Sequence, residues 1–267
     1  IITSFQLFPD VCRRVFLGFH AVMKSCQVYW LNLFRFFRHY NIYRDYIMDY
    51  QVTIIVPTYN RKAFSQLLLH NINCQSYKSI KEVLIADDGD ETLDMTGCKY
   101  PVKYFKMNRI SLGVKRNFLK HCVKSGYVAC FDTDDFYHPN HIENAMTELA
   151  MAGKSVAGSA DMLIYNREKG CFRQCCLWID YLNEATLVFK SSYKGQFGSG
   201  GSSEGVTFLK DYIGEIVELK IDDVMVCVAH KTNTVTKDKW LDEKYVTSFE
   251  ILNPYRHHLE KLSHVII

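Results

Sequence analysis

From residue 50 onward, short runs of β-branched and aliphatic residues alternate with stretches whose apolar positions recur at helical spacing. Residues 52–56 form a β-branched run closed by Pro57, and residues 62–74 carry apolar side chains at the spacing of a helix. Residues 82–86 read as a second buried strand that ends at Asp87, Asp88 and Gly89. Residues 103–107 read as a third, followed by a loop through Gly113 and a helix over 114–123. Residues 128–131 then make a strand that runs into three carboxylates. Strand, helix, strand, helix and strand in this order predict an α/β fold, with a mostly parallel central sheet flanked by helices. In such sheets ligands bind outside the carboxyl ends of the strands.

Three of the predicted strands end in groups suited to that role. The first runs into Pro57, Thr58, Tyr59, Asn60 and Arg61, the second into Asp87 and Asp88, and the last into Asp132, Asp134 and Asp135. Carboxylates this close raise one another's pKa unless a positive charge sits among them. A divalent cation is the simplest such charge, and hard oxygen ligands favour Mg²⁺ or Mn²⁺, which complete their shells with water and phosphate oxygens. A solvated loop, or a cap for a helix beginning near Pro139, is the competing explanation. Neither Gly-x-Gly-x-x-Gly nor the lysine-bearing P-loop pattern follows the first strand, so phosphates would be held by metal instead of a glycine-rich turn.

The segments VTIIVPTYNR, VLIADDG, GVKRN and ACFDTDDFYHP, in this order and spacing, resemble the nucleotide-sugar half of family 2 glycosyltransferases of the GT-A fold. The resemblance covers residues 52 to about 165. It implies that Pro57 and Tyr59 lie against the nucleotide base, that Asp88 bonds a uracil-type edge, and that Arg116 lies near the base or diphosphate. It further implies that Asp134 approaches the ribose, that Asp135 is the main metal ligand, and that Asp132 opens the D-x-D pattern. The donor is then a nucleotide sugar, most simply a UDP-sugar, with Mn²⁺ or Mg²⁺ as cofactor.

In the second half, GSSEGVTFLK and LKIDDVMVCVAH resemble the family's acceptor side, where an acidic pair beginning a helix presents the catalytic base. The resemblance implies Asp223 as general base, with Asp222 as second choice, and an inverting single displacement. Asp222 would also serve as a helix N-cap. His230 stands where many relatives carry an arginine; it would sit near the diphosphate or be an ordinary, partly buried histidine, and the latter is expected. The Q-x-x-R-W pattern of processive synthases is absent, which favours transfer of single sugars to a carbohydrate, lipid-linked or protein acceptor. The glycine- and serine-rich stretch 195–205 is expected to be a mobile loop, either a lid or a plain connection. His138 and His141 are expected at the surface or behind the site, and residues 255–264 as a packing helix.

Composition adds a division of the chain. Of 267 residues 48% are hydrophobic and 23% charged, enough for one full core plus an extension. Residues 1–50 hold six Lys or Arg and three acids, so the whole net charge of +3 lies there, and the remainder is balanced at 26 of each sign. The expected organisation is a helical, basic and aromatic extension over 1–50, then a glycosyltransferase domain over 51–267 whose nucleotide-sugar half ends at 165. Such an extension suits a partner surface or a peripheral contact with an acidic membrane. No nucleic-acid partner is expected. Ten cysteines without regular spacing fit a reducing, cytoplasmic setting, and Cys171, Cys175 and Cys176 lack the paired spacing of a zinc site. Two other functions remain open: a nucleotide-binding module of this fold without turnover, and a D-x-D phosphatase.

Overall fold

The computed structural model describes residues 50–166, 169–174, 182–200, 204–211 and 213–233. The extension over 1–50 (apart from Tyr50), the helix expected over 255–264, and Cys175 and Cys176 lie outside the described residues. No helix among the described residues is long and apolar enough to cross a membrane.

A seven-stranded sheet carries the fold. Its strands are β1 (Val52–Thr58), β2 (Ile80–Asp87), β3 (Val102–Lys106), β4 (Tyr127–Cys130), β6 (Val156–Gly158), β9 (Val188–Lys190) and β10 (Ile216–Glu218), in the order β10-β6-β9-β4-β1-β2-β3. β1 pairs in parallel with both β2 and β4, β2 with β3, and β6 with β10; only β9 runs antiparallel to its neighbours β4 and β6. The expected mostly parallel sheet is thus the observed one. Pro57 lies inside β1 rather than closing it. The β1–β4 ladder stops at Ile55 and Cys130, so the missing proline N–H deprives β4 of nothing.

Alternation along the central strands sends side chains to two cores. Val52, Ile54 and Val56 of β1, with Val83 and Ile85 of β2, join one cluster, while Ile55, Leu84 and Ala86 join the other. Helix α1 (Ser65–Asn73) adds Leu67, Leu68 and Ile72 to the first cluster, and α3 (His141–Ala152) adds Ile142, Ala145, Met146 and Leu149. The opposite face is covered by α2 (Leu112–Cys122) through Leu119 and by α4 (Glu204–Leu209) through Phe208 and Leu209. The helix expected over 62–74 opens instead as a 3-10 turn, Lys62–Phe64, before α1 begins.

A second sheet of four strands has the order β5-β11-β7-β8, with β5 at Phe136–Tyr137, β7 at Met162–Asn166, β8 at Gly170–Gln174 and β11 at Met225–Val228. This corrects the reading of the second acidic pair. Asp222 and Asp223 do not begin a helix: they close a 3-10 turn, Ile221–Asp223, that leads directly into β11. The apolar run after them is buried on all four strand positions, a pattern that a short helix or a short strand satisfies equally well.

Candidate active site

β1, β2 and β4 are parallel neighbours, so their carboxyl ends open on the same edge of the sheet. At the end of β1, Asn60 takes a left-handed conformation, φ 49°, and its Oδ1 accepts from the backbone N–H groups of Asp90 and Glu91 beyond β2. This ties the first two strand ends together. Gly89 is required at the junction, since a Cβ there would stand 2.4 Å from Asn60 Oδ1. Thr58 is buried and its Oγ1 has no partner.

Asp88 sits under this edge with its side chain fully enclosed. It accepts from Lys115 Nζ at 2.6 Å, from Arg109 at 2.9 Å and from the Ile110 backbone N–H at 2.9 Å. Burial pushes its pKa up, but the Lys115 hydrogen bond and the other donors outweigh that and hold the carboxyl below the usual range. Lys115 is itself buried, and its ammonium also donates to the Thr58 carbonyl. Arg109 is the partner that faces solvent, and its guanidinium lies 3.6 Å above the centre of the half-exposed Tyr59 ring. Pro57 is buried within β1, so Tyr59 and Arg109 form the accessible surface at this end.

The loop after β4 divides its three carboxylates between different tasks. Asp132 Oδ1 accepts from Arg116 at 2.8 Å, and Asp134 Oδ2 accepts from Arg61 Nε at 2.8 Å and lies 3.0 Å from His230 Nε2. Each is engaged by protein donors through a single oxygen. Burial alone would raise the Asp134 pKa, but the His230 bond and the Arg61 charge bring it below the ordinary value. Asp135 points inward instead. It is 5% exposed and its Oδ1 accepts from the Val228 backbone N–H at 3.0 Å, fastening the loop to β11. The residue that the resemblance makes the main metal ligand thus holds β11 through Oδ1. Among the described residues no group of three His, Cys, Asp or Glu side chains is placed to hold a metal. Two carboxylates with an oxygen each to spare do match what Mg²⁺ or Mn²⁺ takes from protein when phosphate oxygens supply other positions.

Arg116 is 2% exposed and lies between two acids, Nη2 on Asp132 and Nη1 on Glu204. It therefore braces the loop from behind and is too enclosed to meet a base. Glu204 opens α4 and is 5% exposed; burial raises its pKa, Arg116 opposes this, and Glu184 adds to the rise. Gly205 follows because a Cβ there would meet Glu184, whose Oε1 accepts the Gly205 N–H at 2.7 Å.

Asp222 and Asp223 are placed elsewhere. β11 pairs antiparallel with β5, Met225 opposite Tyr137 and Val226 opposite Phe136, so its far end meets the acidic loop through Val228 and His230. Asp223 lies before the near end, beside His138. Asp222 forms an ion pair with Arg173 of β8. His230, expected to be an ordinary histidine, is instead a partner of Asp134. His141, expected at the surface or behind the site, is completely buried, its ring beside those of Phe131 and Tyr137. The stretch 195–205 is pinned where it is described: Asn117 bonds the Phe197 backbone N–H and carbonyl, and the Phe197 ring stacks on Phe208 at 4.2 Å.

The profile of glycosyl transferase family 2 matches residues 53–187, half of the chain. Glycosyltransferase GlyA of Streptococcus pneumoniae is 23% identical over 159 residues, which are 56% of this chain and 23% of GlyA, so the chain spans under a quarter of that relative. Among solved structures, S. aureus TarS 1–349 in complex with UDP superposes with a TM-score of 0.55 at 19% identity, over 67% of this chain and 61% of TarS. The mannosyltransferase PcManGT of Pyrobaculum calidifontis, in complex with GDP-Man and Mn²⁺, gives 0.51 at 16% identity, over 72% of this chain and 60% of that one. These likenesses establish the GT-A fold.

Proposed function

The chain belongs to glycosyl transferase family 2, and on that premise we propose that it moves a single sugar from a UDP-sugar to a hydroxyl of a glycan, lipid or protein acceptor. Mn²⁺ or Mg²⁺ would be held by Asp132 and Asp134. The observation that carries the reading is the placement of these carboxylates, each with one oxygen unclaimed, on the strand edge that also presents Tyr59 and Arg109. The nucleotide complexes of TarS and PcManGT support a nucleotide donor here.

Each residue has a task in this account. The Tyr59 ring under the Arg109 guanidinium forms a flat cationic platform on which a nucleobase stacks. Asp88 fixes Arg109 and is reached by a base edge only when that arginine moves. Arg61 and His230 set the orientation of Asp134, and Arg116 sets that of Asp132. When bound, a divalent ion held by Asp132 and Asp134 would supply positive charge to offset that growing on a departing diphosphate.

For the general base we propose Glu204 ahead of Asp223 and Asp222. An acid that begins a helix beside the acidic loop is what the acceptor side needs, and Glu204 begins α4 there, sharing Arg116 with Asp132; being 5% exposed, it meets an acceptor hydroxyl only when the chain covering it moves. Its raised pKa suits proton removal from an acceptor hydroxyl. A single displacement then inverts the anomeric centre. The second reading, a nucleotide-binding module without turnover, is favoured by the arginine already paired with each carboxylate.

Metal-dependent hydrolysis of a UDP-sugar without acceptor separates the two. Glu204→Gln is expected to keep UDP affinity within about two-fold and to lower turnover by about 10²-fold or more, while Asp223→Asn leaves both unchanged. Loss of turnover in Asp223→Asn alone returns the base to that residue, and no turnover in the wild type supports the silent module.

A further inference from the structure

Along the C-terminal part of α2 lies a cavity of about 280 Å³ lined by Asn117, Lys120, His121, Lys124, Ser191 and Gln196, with Val123 completing its wall. Its chemistry is one-sided. Lys120 and Lys124 bring positive charge and His121 adds a titratable ring, whereas no carboxylate lines it.

Lys120 makes the cavity more than a polar dimple. The residue is 8% exposed, and among the described residues its ammonium has neither a hydrogen bond nor an ion pair. That ammonium is not sealed in the protein: it is not one of the partnerless side-chain atoms cut off from solvent, so its charge is open to the cavity it lines. Burial still draws the Lys120 pKa down, with no neighbouring acid to restore it. The other buried lysine of the same helix, Lys115, has Asp88 for this purpose. Lys120 has no such acid and presents its charge to the cavity instead.

We propose that this cavity is an anion site for a phosphate group, free or carried on a small ligand, with the Lys120 ammonium as its inner cation, Lys124 at its mouth, and Ser191 and Gln196 as hydrogen-bonding wall. The volume lies at the small end of ligand sites, too tight for a nucleotide sugar and ample for a phosphomonoester. The site is separate from the donor crevice, since Gly113 at the crevice end of α2 and Lys120 are about 10 Å apart along the helix at 1.5 Å per residue. It is not mechanically isolated. The segment that forms its wall continues through Phe197, which Asn117 holds by both backbone groups, to Gly198, whose N–H donates to the Glu204 carbonyl at 2.9 Å. An occupant clamps α2 to the strand of chain that leads to the proposed base. The inference itself stands on the cavity alone, whatever the donor crevice does.

The test is thermal unfolding of the full chain in inorganic phosphate, in glycerol 3-phosphate and in sodium chloride of equal ionic strength, for the wild type, Lys120→Met and Lys124→Glu. Phosphate is expected to raise the wild-type melting temperature by about 2–4 °C over chloride at a concentration about ten times its dissociation constant. Both variants lose most of that rise. A larger response to glycerol 3-phosphate assigns the site to a carried phosphate, and an equal one to the free ion. Lys124 is exposed at the mouth, so its variant reports even if Lys120→Met folds poorly. A wild type that melts alike in phosphate and chloride, or variants that keep the full response, would overturn the proposal.

Discussion

His141 shows how burial fixes the behaviour of a single side chain. Neither ring nitrogen has a partner, and the rings of Phe131 and Tyr137 stand at 5.9 and 5.7 Å. Burial drives its pKa from 6.5 down to about 3. The folded state therefore keeps a neutral ring where the unfolded chain takes up a proton. With the folded pKa depressed, the stability conferred by the neutral ring is complete above the unfolded value and is lost as pH falls from about 6.5 towards about 3. The slope approaches about 1.4 kcal/mol per pH unit. His141→Phe is expected to flatten urea-derived stability between pH 6 and 4; an unchanged slope would place the ring in contact with water. Asp134 loses its contribution only as pH falls through its own lowered pKa, below that window. The two effects are separable by pH.

At the scale of elements, the acidic loop and β11 act as one unit. Asp135 joins them at Val228 and His230 joins them again at Asp134. Asp135→Ala strands a buried N–H and is expected to destabilise the fold by about 1–3 kcal/mol, read as a lowered melting temperature. The elements themselves were largely legible from the chain. β1, β2, β4 and α2 follow periodicity that burial on two faces imposes, and their ends were misplaced by only a residue or two. The acidic pair at Asp222 was misread because four apolar residues after a turn carry no period long enough to tell strand from helix. Arg109 and Glu204 escaped notice for a different reason. Arg116 and Glu204 are 88 residues apart and Arg109 and Asp88 are 21 apart, so their partnerships exist only once the strands are assembled. Which of the two expected places His141 takes could not be read, because Pro139 marks a helix start but says nothing about which face the next turns bury.

For the whole molecule, the parallel sheet gathers three polar strand ends at one edge, and the cavity on α2 lies beyond it on the same helix. The central claim is that this edge binds a uridine nucleotide through metal held by Asp132 and Asp134. The direct measurement is calorimetric titration of UDP, with GDP as comparison, into the wild type, Asp132→Asn and Asp134→Asn, each with and without Mn²⁺. The account predicts binding that needs Mn²⁺, prefers UDP and disappears in both variants. Wild-type binding that is indifferent to Mn²⁺, or that survives in both variants, would contradict it.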